Sequence, residues 1–285
     1  MPLVPMTDML QKAYRGGWAV GGFDAPEAIS ALASIEAGQA LGSPILLICA
    51  PTEYQTLGAR GVVAVVRALA GLAGAEVALH LDHTPHFGEV VEAVEAGFTS
   101  VMIDGSTLSY EENLRLTRRV ADYAHARGVT VEAELGHVGR VDDQTHEGGG
   151  APAGAAVTDA RQAAEFARAS GCDYLAVAIG NAHGLYPTLP RLDMDALARI
   201  REAVPIPLVL HGGSGTPEDQ LRKAVSLGIA KVNVASEIMK AFNQVYLPRM
   251  GGGKTWWALA QNEAKAAMRA VTERWIGMLG SAGKA

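Results

Sequence analysis

The chain has 285 residues and a formal net charge of −6, and hydrophobic residues make up 49% of it. This composition supplies a large core and excludes a disordered protein, and the lack of a basic block disfavours nucleic acid binding. The two cysteines, Cys49 and Cys172, lie in apolar runs, so we expect buried thiols in a reducing compartment rather than a disulfide framework.

Neither of the two segments that could direct the chain to a membrane has a suitable pattern. Residues 1–10 lack the basic and then apolar layout of a secretory signal. The longest apolar stretch, residues 61–81, is interrupted by Arg67 and Glu76 and is too polar to span a membrane. We therefore expect a cytoplasmic protein with no membrane partner.

Eight short β-rich runs recur along the chain, and helical patterns lie between them. The runs cover residues 18–25, 43–50, 77–83, 100–105, 129–136, 174–180, 207–213 and 231–236. Apolar residues follow helical spacing at 27–40, 88–96, 110–127, 158–170, 194–203 and 217–227. Continuous apolar strands that alternate with helices are typical of parallel sheets covered on both faces. The pattern predicts an α/β fold, a (β/α)8 TIM barrel in one domain over residues 1–285, with an open doubly wound sheet as the competing topology.

Two segments do not follow this alternation. Residues 136–156 are rich in glycine and predict a long loop after the fifth strand, where segments that cover barrel sites commonly lie. Residues 249–255 predict a flexible connector to a C-terminal helical extension that begins at about residue 256.

Polar residues interrupt the apolar runs at the carboxyl ends of the predicted strands. Asp82 and His83 end the third strand, His183 follows the sixth and His211 ends the seventh. Barrel enzymes place their chemistry on this face. One such histidine is more often structural, but three neutral imidazoles form a good Zn²⁺ site with a position left open for substrate. The pattern therefore favours a metal site.

The glycines after the seventh strand indicate an anion site. The segment HGGSGTPED, residues 211–219, turns into a helix, and a helix N-terminus exposes amide N–H groups to an anion. Loops after strands seven and eight form the recurring phosphate site of such barrels, and Ser214 and Ser236 add hydroxyl donors. Glycine in a tight turn is weak evidence alone, and its location is what favours phosphate.

Five motifs in one order resemble those of the class II, metal-dependent ketose-bisphosphate aldolases, a family of fructose- and tagatose-bisphosphate aldolases. They are HLDH at 80–83, VEAELG at 131–136, GNAHG at 180–184, LVLHGGSG at 208–215 and KVNVASE at 231–237. The resemblance covers essentially the whole chain. It implies a lyase of carbohydrate metabolism that reversibly cleaves a ketose (bis)phosphate to dihydroxyacetone phosphate and an aldehyde through a metal-stabilised enediolate.

The resemblance also implies a role for each matching residue. His83, His183 and His211 match the zinc ligands, and Glu134 matches a carboxylate that contacts the metal in an alternative position. Asp82 matches the acid/base, and Asn233 matches the residue that steadies the enediolate. The positions expected to bind substrate or its phosphates are Asp24, Gly184, Gly212, Gly213, Ser214, Ser236 and Arg249.

Three further expectations follow from the resemblance. Arg249 matches an arginine that often acts in a neighbouring subunit, so we expect a homodimer or homotetramer. Zn²⁺ is the preferred ion, although Co²⁺ or Mn²⁺ would fit, and a monovalent cation is also allowed. Lys231 is a formal candidate for a Schiff base, but the family carries a lysine there without that role.

The chain departs from the family pattern at positions that face substrate. Asp24 replaces an asparagine, Ala50 lies where a serine is usual, and Arg140 and Val141 are unusual in the loop after the fifth strand. Asp142 aligns with the glutamate that shuttles a proton, and it is shorter by one methylene.

These departures leave three interpretations, namely normal turnover with Asp142, a site retuned for another aldol, or poor turnover. We favour a substrate other than fructose 1,6-bisphosphate. The competing functions are a non-catalytic or weakly active sugar-phosphate-binding barrel and a metal-dependent hydrolase. Such hydrolases commonly carry a His-X-His pair after strand one, which this sequence lacks.

Overall fold

Eight parallel strands close into a barrel in a computed structural model that describes residues 3–72, 76–141, 157–253 and 256–285. Each strand pairs with its neighbours in sequence, and β8 pairs with β1. The strands are β1 (Val20–Asp24), β2 (Ile45–Cys49), β3 (Val77–Leu81), β4 (Ser100–Ile103), β5 (Thr130–Leu135), β6 (Tyr174–Val177), β7 (Leu208–Leu210) and β8 (Ile229–Val234). The prediction of a TIM barrel is confirmed, and an open sheet is excluded.

Helices cover the outside of the barrel. They are α1 (Met6–Gly16), α2 (Ala28–Leu41), α3 (Gly58–Leu72), α4 (Phe87–Ala96), α5 (Tyr110–His125), α6 (Ala160–Ser170), α7 (Met194–Ala203), α8 (Glu218–Ser226), α9 (Ser236–Met250) and α10 (Trp257–Leu279). The sequence patterns did not predict α1, α3 or α9. No helix of the described chain is long and apolar enough to cross a membrane.

Helix α1 packs against the end of the barrel at which the strands begin. Met6, Met9 and Leu10 are buried in a cluster with residues from the strands, such as Leu46 and Val209. This packing fills the amino-terminal end of the barrel with apolar side chains. Access to the interior is therefore left to the opposite end, where the strands finish.

Helices α9 and α10 follow the last strand. The prediction of a connector over residues 249–255 is wrong at its start, because Arg249 and Met250 belong to the last turn of α9. Helix α10 packs against α9 and α2, and Trp275 within it is fully buried. Trp256 and Trp257, by contrast, are 79% and 56% exposed.

Candidate active site

The carboxyl ends of three strands bring three histidines together. His83 lies two residues after β3, His183 lies in the loop after β6, and His211 directly follows β7. All three side chains are almost fully buried. His83 has a φ of 33°, the one positive φ at a residue other than glycine in the described part of the chain. Backbone strain of this kind is concentrated at functional sites.

The three imidazole rings are close neighbours. The centroid of the His83 ring lies 4.5 Å from that of His211 and 4.8 Å from that of His183, and the other two centroids lie 5.7 Å apart. One ring nitrogen from each histidine lies within 4.8 Å of the others. Three imidazoles in such proximity are a donor set of the kind that holds Zn²⁺.

Two carboxylates fix the outer nitrogens of two rings. His83 Nδ1 donates to Asp104 Oδ2 at 3.1 Å, and His211 Nε2 donates to Glu132 Oε1 at 2.8 Å. Because an ionised carboxylate only accepts, each bond sets the tautomer and leaves a lone pair on the opposite nitrogen. Those opposite nitrogens, His83 Nε2 and His211 Nδ1, lie 2.6 Å apart. Carboxylates that orient imidazoles in this way regularly surround metal ligands.

Two facing lone pairs at this distance repel each other unless a positive charge lies between them. Burial lowers the pKa of His83, but the Asp82 charge and the hydrogen bond to Asp104 outweigh it and raise the pKa to about 10. Burial and the charge on His83 lower the pKa of His211 to about 4. A single shared proton therefore satisfies the pair, and a divalent cation fits the same donors.

A second group of oxygen and nitrogen donors shares His83. A ring nitrogen of His83 and carboxylate oxygens of Asp104 and Glu134 lie within 4.8 Å of one another. Glu134 Oε1 accepts from the Val138 N–H at 3.0 Å, while Oε2 is buried without a hydrogen-bond partner among the described residues. Burial and the nearby Asp104 charge raise the pKa of Glu134 well above its usual range. The donor set therefore also fits a cation that is held beside Glu134.

A buried polar network lies beneath the histidines. Lys231 Nζ donates to Glu132 Oε2 at 2.8 Å and lies 4.0 Å from Asp82 Oδ1. Asn233 Nδ2 donates to both oxygens of Asp82 at 3.0 Å. Burial raises the pKa of Asp82, but the charge on His83 and an imidazole hydrogen bond outweigh it and hold the pKa well below its usual range. Asp82 is therefore an ionised carboxylate at the end of the barrel where the histidines lie.

The position of Lys231 does not suit a Schiff base. Its side chain is fully buried, and its ammonium is held by Glu132 and lies 3.3 Å from His80 Nε2. A lysine that attacks a carbonyl must be neutral and open to substrate. The structure instead makes Lys231 the cation of a buried ion pair.

Glycines shape the loops after β6 and β7. Gly184 and Gly212 have φ values of 100° and 62°, which residues with a side chain rarely adopt. A Cβ atom at Gly212 would lie 2.0 Å from the Ala182 carbonyl oxygen, so glycine allows the two loops to pack closely. The Gly213 N–H donates to the Asn233 carbonyl oxygen at 3.1 Å. This amide is therefore used within the protein.

The predicted phosphate serines lie near the beginning of α9. Ser236 is the first residue of this helix, and Ala235 before it makes no side-chain capping bond. Ser214 Oγ accepts from the Glu237 N–H at 3.2 Å, and Gly215 N–H donates to Glu237 Oε1 at 2.8 Å. The Ile238 and Met239 N–H groups of the first turn donate to the Ala235 carbonyl oxygen, so what this helix offers an anion is chiefly the positive end of its dipole.

Asp24 and Ala50 belong to the same face of the barrel, because Asp24 ends β1 and Ala50 directly follows β2. Their exposed fractions are 2% and 4%. Arg140 forms a parallel bridge with His183, so the loop after β5 lies against the loop that carries this histidine. Asp142 falls outside the described residues.

Arg249 does not join the histidine cluster within one chain. It lies 13 residues after Ser236 on α9, which corresponds to about 20 Å of helix. Its guanidinium instead donates two hydrogen bonds to Glu263 on α10, at 2.7 and 2.9 Å.

The sequence patterns assigned no supporting role to three residues that hold the site together. They are Asp104, Glu132 and Lys231. A signal was present, because each is a charged residue within or next to a buried apolar strand, and such residues are rarely buried unless they are paired. Their partners could not be predicted, since the pairs join β3, β4, β5, β7 and β8 across the barrel.

A TIM barrel with buried imidazoles and carboxylates at the ends of its strands is the architecture of a barrel enzyme that can hold a metal ion. A family profile of the class II fructose-bisphosphate aldolases matches residues 4–284. The chain therefore belongs to this family of lyases.

Solved structures agree with this assignment. The YdjI aldolase of Escherichia coli K12 is 31% identical, with a TM-score of 0.87 and coverage of 99% of both chains. A putative fructose-1,6-bisphosphate aldolase of Coccidioides immitis is 32% identical, with a TM-score of 0.87 and coverage of 97% of this chain and 96% of that chain. The fructose-bisphosphate aldolase of Campylobacter jejuni shares the fold at 21% identity, with a TM-score of 0.81 and coverage of 100% and 97%.

Proposed function

We propose that the protein is a zinc-dependent aldolase that reversibly cleaves a ketose phosphate or bisphosphate to dihydroxyacetone phosphate and an aldehyde. The observation that carries this proposal is the meeting of His83, His183 and His211 beside the ionised Asp82. Glu134 offers a further oxygen ligand. Co²⁺ or Mn²⁺ would suit the same nitrogen and oxygen donors.

The buried polar residues have distinct roles in this proposal. His83, His183 and His211 would hold a divalent cation, which would supply a Lewis acid that stabilises negative charge on the carbonyl oxygen of the substrate. Asp82 accepts the proton of the substrate hydroxyl, and Asn233 orients it through the two contacts of 3.0 Å. Asn233 Oδ1 is buried without a hydrogen-bond partner among the described residues. It can accept a hydrogen bond from a hydroxyl group of the three-carbon product.

The phosphate of the substrate is assigned to the beginning of α9. The amides of its first turn carry the positive end of the helix dipole. Ser236 lies in this turn, and Ser214 is held against it by the Glu237 N–H. Gly184 and Gly212 allow the backbone to approach the anion without a side chain in the way.

We propose that the preferred substrate is not fructose 1,6-bisphosphate. Asp24 places a buried acidic group where the family usually has an amide, and Ala50 places a methyl group where it usually has a hydroxyl. Arg140 adds a cation beside the loop of His183. Together these changes alter the charge and hydrogen bonding offered to the substrate. The role of Asp142 as proton shuttle remains a prediction.

We also propose that the enzyme is a homodimer or homotetramer in the cytoplasm. Large exposed apolar residues cluster in sequence where α9 ends and α10 begins, namely Leu247, Trp256, Trp257 and Leu259. Apolar exposure of this kind marks interaction surfaces. Arg249 lies in the same segment, so its side chain could reach the active site of a neighbouring subunit and bind the second phosphate of the substrate there. Free buried cysteines fit a reducing compartment.

The test is a dehydrogenase-coupled assay of triose phosphate release over a panel of phosphorylated and non-phosphorylated ketoses. We expect turnover to stop with a chelator and to return with Zn²⁺. His211→Ala should abolish it, while His125→Ala, a surface change at a side chain that is 43% exposed, should not. Release of inorganic phosphate without triose would indicate a hydrolase, and binding without cleavage would indicate a sugar-phosphate-binding protein. Highest specificity for fructose 1,6-bisphosphate would refute the proposed change of substrate.

A further inference from the structure

We propose that Tyr186 is a positioning residue whose hydroxyl joins the loops after β6 and β7 and thereby sets the spacing of His183 and His211. The inference rests on the proposed metal site. Tyr186 lies three residues after His183, and its ring packs over Gly215, where an added Cβ would lie 3.2 Å from Tyr186 Cδ2.

A single oxygen atom makes the connection between the two loops. Tyr186 Oη accepts from the Ala182 N–H at 2.7 Å and donates to the Gly212 carbonyl oxygen at 3.2 Å. Ala182 directly precedes His183, and Gly212 directly follows His211. Because peptide units are planar and rigid, these two bonds constrain the backbone from which both imidazoles project.

A second side chain supports the same connection. Asn181 Nδ2 donates to the His211 carbonyl oxygen at 3.0 Å, while Asn181 Oδ1 accepts from the Ile179 N–H at 2.8 Å. Gly212 also packs tightly against the Ala182 carbonyl, as its 2.0 Å Cβ approach indicates. The bonds of Tyr186 to Ala182 and Gly212, and that of Asn181 to His211, involve backbone groups, so both residues act on the imidazoles through the backbone.

Removal of the Tyr186 hydroxyl should therefore disturb the metal site more than the fold. The ring would still pack over Gly215. The Ala182 N–H and the Gly212 carbonyl lie on buried residues, and buried polar groups that lose a partner are costly. The two loops would shift to find new partners, and the imidazoles would move with them.

The experiment uses the full chain loaded with Co²⁺ and compares Tyr186→Phe with the wild type. We expect Tyr186→Phe to bind Co²⁺ about tenfold more weakly by chelator competition, the lower end for residues that support metal ligands. Its visible Co²⁺ absorption, which reports ligand geometry, should change. Tyr54→Phe is the matched control, because the buried Tyr54 hydroxyl has no hydrogen-bond partner among the described residues. We expect that control to retain both properties.

A second variant, Asn181→Asp, removes the donor to His211 but keeps the acceptor for Ile179, and it should weaken Co²⁺ binding in the same direction. This variant tests the proposal if Tyr186→Phe does not fold. Wild-type affinity and absorption in both folded variants would overturn the proposed role, even if their melting temperatures fall. A wild-type protein that binds no Co²⁺ would refute the metal site itself.

Discussion

Replacement of Lys231 by methionine should destabilise the protein strongly. Methionine has a similar length but no charge, so the buried Glu132 carboxylate would lose its cation. Both side chains are 0% exposed and their charged atoms lie 2.8 Å apart. Removal of one partner from such a pair costs about 3–5 kcal/mol, because the remaining charge stays buried without compensation.

A double substitution distinguishes the effect of the ion pair on stability from the effect of the packing of the lysine side chain. In the variant Glu132→Gln with Lys231→Met, the carbonyl of the new side-chain amide can still accept from His211 Nε2, and no buried charge is left at position 132. We expect this double variant to be more stable than Lys231→Met alone, with a coupling energy of about 2 kcal/mol between the two sites.

The stability that the ion pair between Glu132 and Lys231 contributes is lost as the pH falls. Burial raises the pKa of Glu132, but the Lys231 charge and the hydrogen bond from His211 outweigh it and lower the pKa from 4.5 to about 2. A lowered folded-state pKa gives stability that is complete above the unfolded-state pKa. The stability that the wild type gains from the ionised Glu132 should therefore be full at neutral pH and shrink as the pH falls from 4.5 toward 2.

The assay is urea-induced unfolding at pH 7 with chelator present, so that metal binding does not contribute. Tryptophan fluorescence, to which the buried Trp18 and Trp275 contribute, and far-ultraviolet circular dichroism serve as independent probes. If the free energy of unfolding of Lys231→Met lies within about 0.5 kcal/mol of the wild-type value, the usual range for surface substitutions, the ion pair does not have the role argued from its burial. Simple additivity in the double variant would lead to the same conclusion.

Three other predictions concern the loops, the chemistry and the assembly. Gly212→Ala should lower the free energy of unfolding by about 3 kcal/mol and reduce the amount of bound metal, because it forces a strained φ and a clash. Thermal melting and metal analysis measure the two effects. Gly71→Ala is the control, because nothing lies within 4 Å of an added Cβ there. Borohydride treatment in the presence of dihydroxyacetone phosphate should leave no adduct that mass spectrometry detects. A mass increase on Lys231 would instead support a Schiff-base mechanism. Trp256→Ser should lower the mass found by sedimentation if the exposed tryptophans form the subunit interface, and an unchanged assembly would place the interface elsewhere.

The strands of the barrel could be predicted well because each is a short apolar run with clear boundaries. All eight occur where expected, although the predicted runs extend beyond the hydrogen-bonded ladder, as β7 shows with three residues. The excess residues at the carboxyl ends include members of the proposed site, such as His211 and Gly212. They continue an apolar run in sequence but leave the sheet in space.

The sequence patterns do not predict helices α9 and α3, for a different reason in each case. Helix α9 contains Pro248, and its buried and exposed residues do not separate cleanly into two faces. Helix α3 overlaps residues 61–81, the longest apolar stretch of the sequence.

The partners within the site could not be predicted from local pattern. Barrel closure places Lys231 of β8 next to Glu132 of β5, and these residues are 99 positions apart in the chain. Their place within buried apolar runs indicates that such residues are buried, but the choice of partner depends on the register of all eight strands. The histidines could be grouped only because the carboxyl ends of parallel strands share one face.

The left-handed backbone at His83 sets a limit on how this enzyme can be improved. Glycine or asparagine would relax the conformation and regain about 1 kcal/mol or more, yet either would delete an imidazole from the cluster. A laboratory selection that rewards heat resistance alone would therefore drift toward those residues at position 83 and enrich stable barrels that lack one ligand of the proposed metal site. Such a campaign should keep this codon constant.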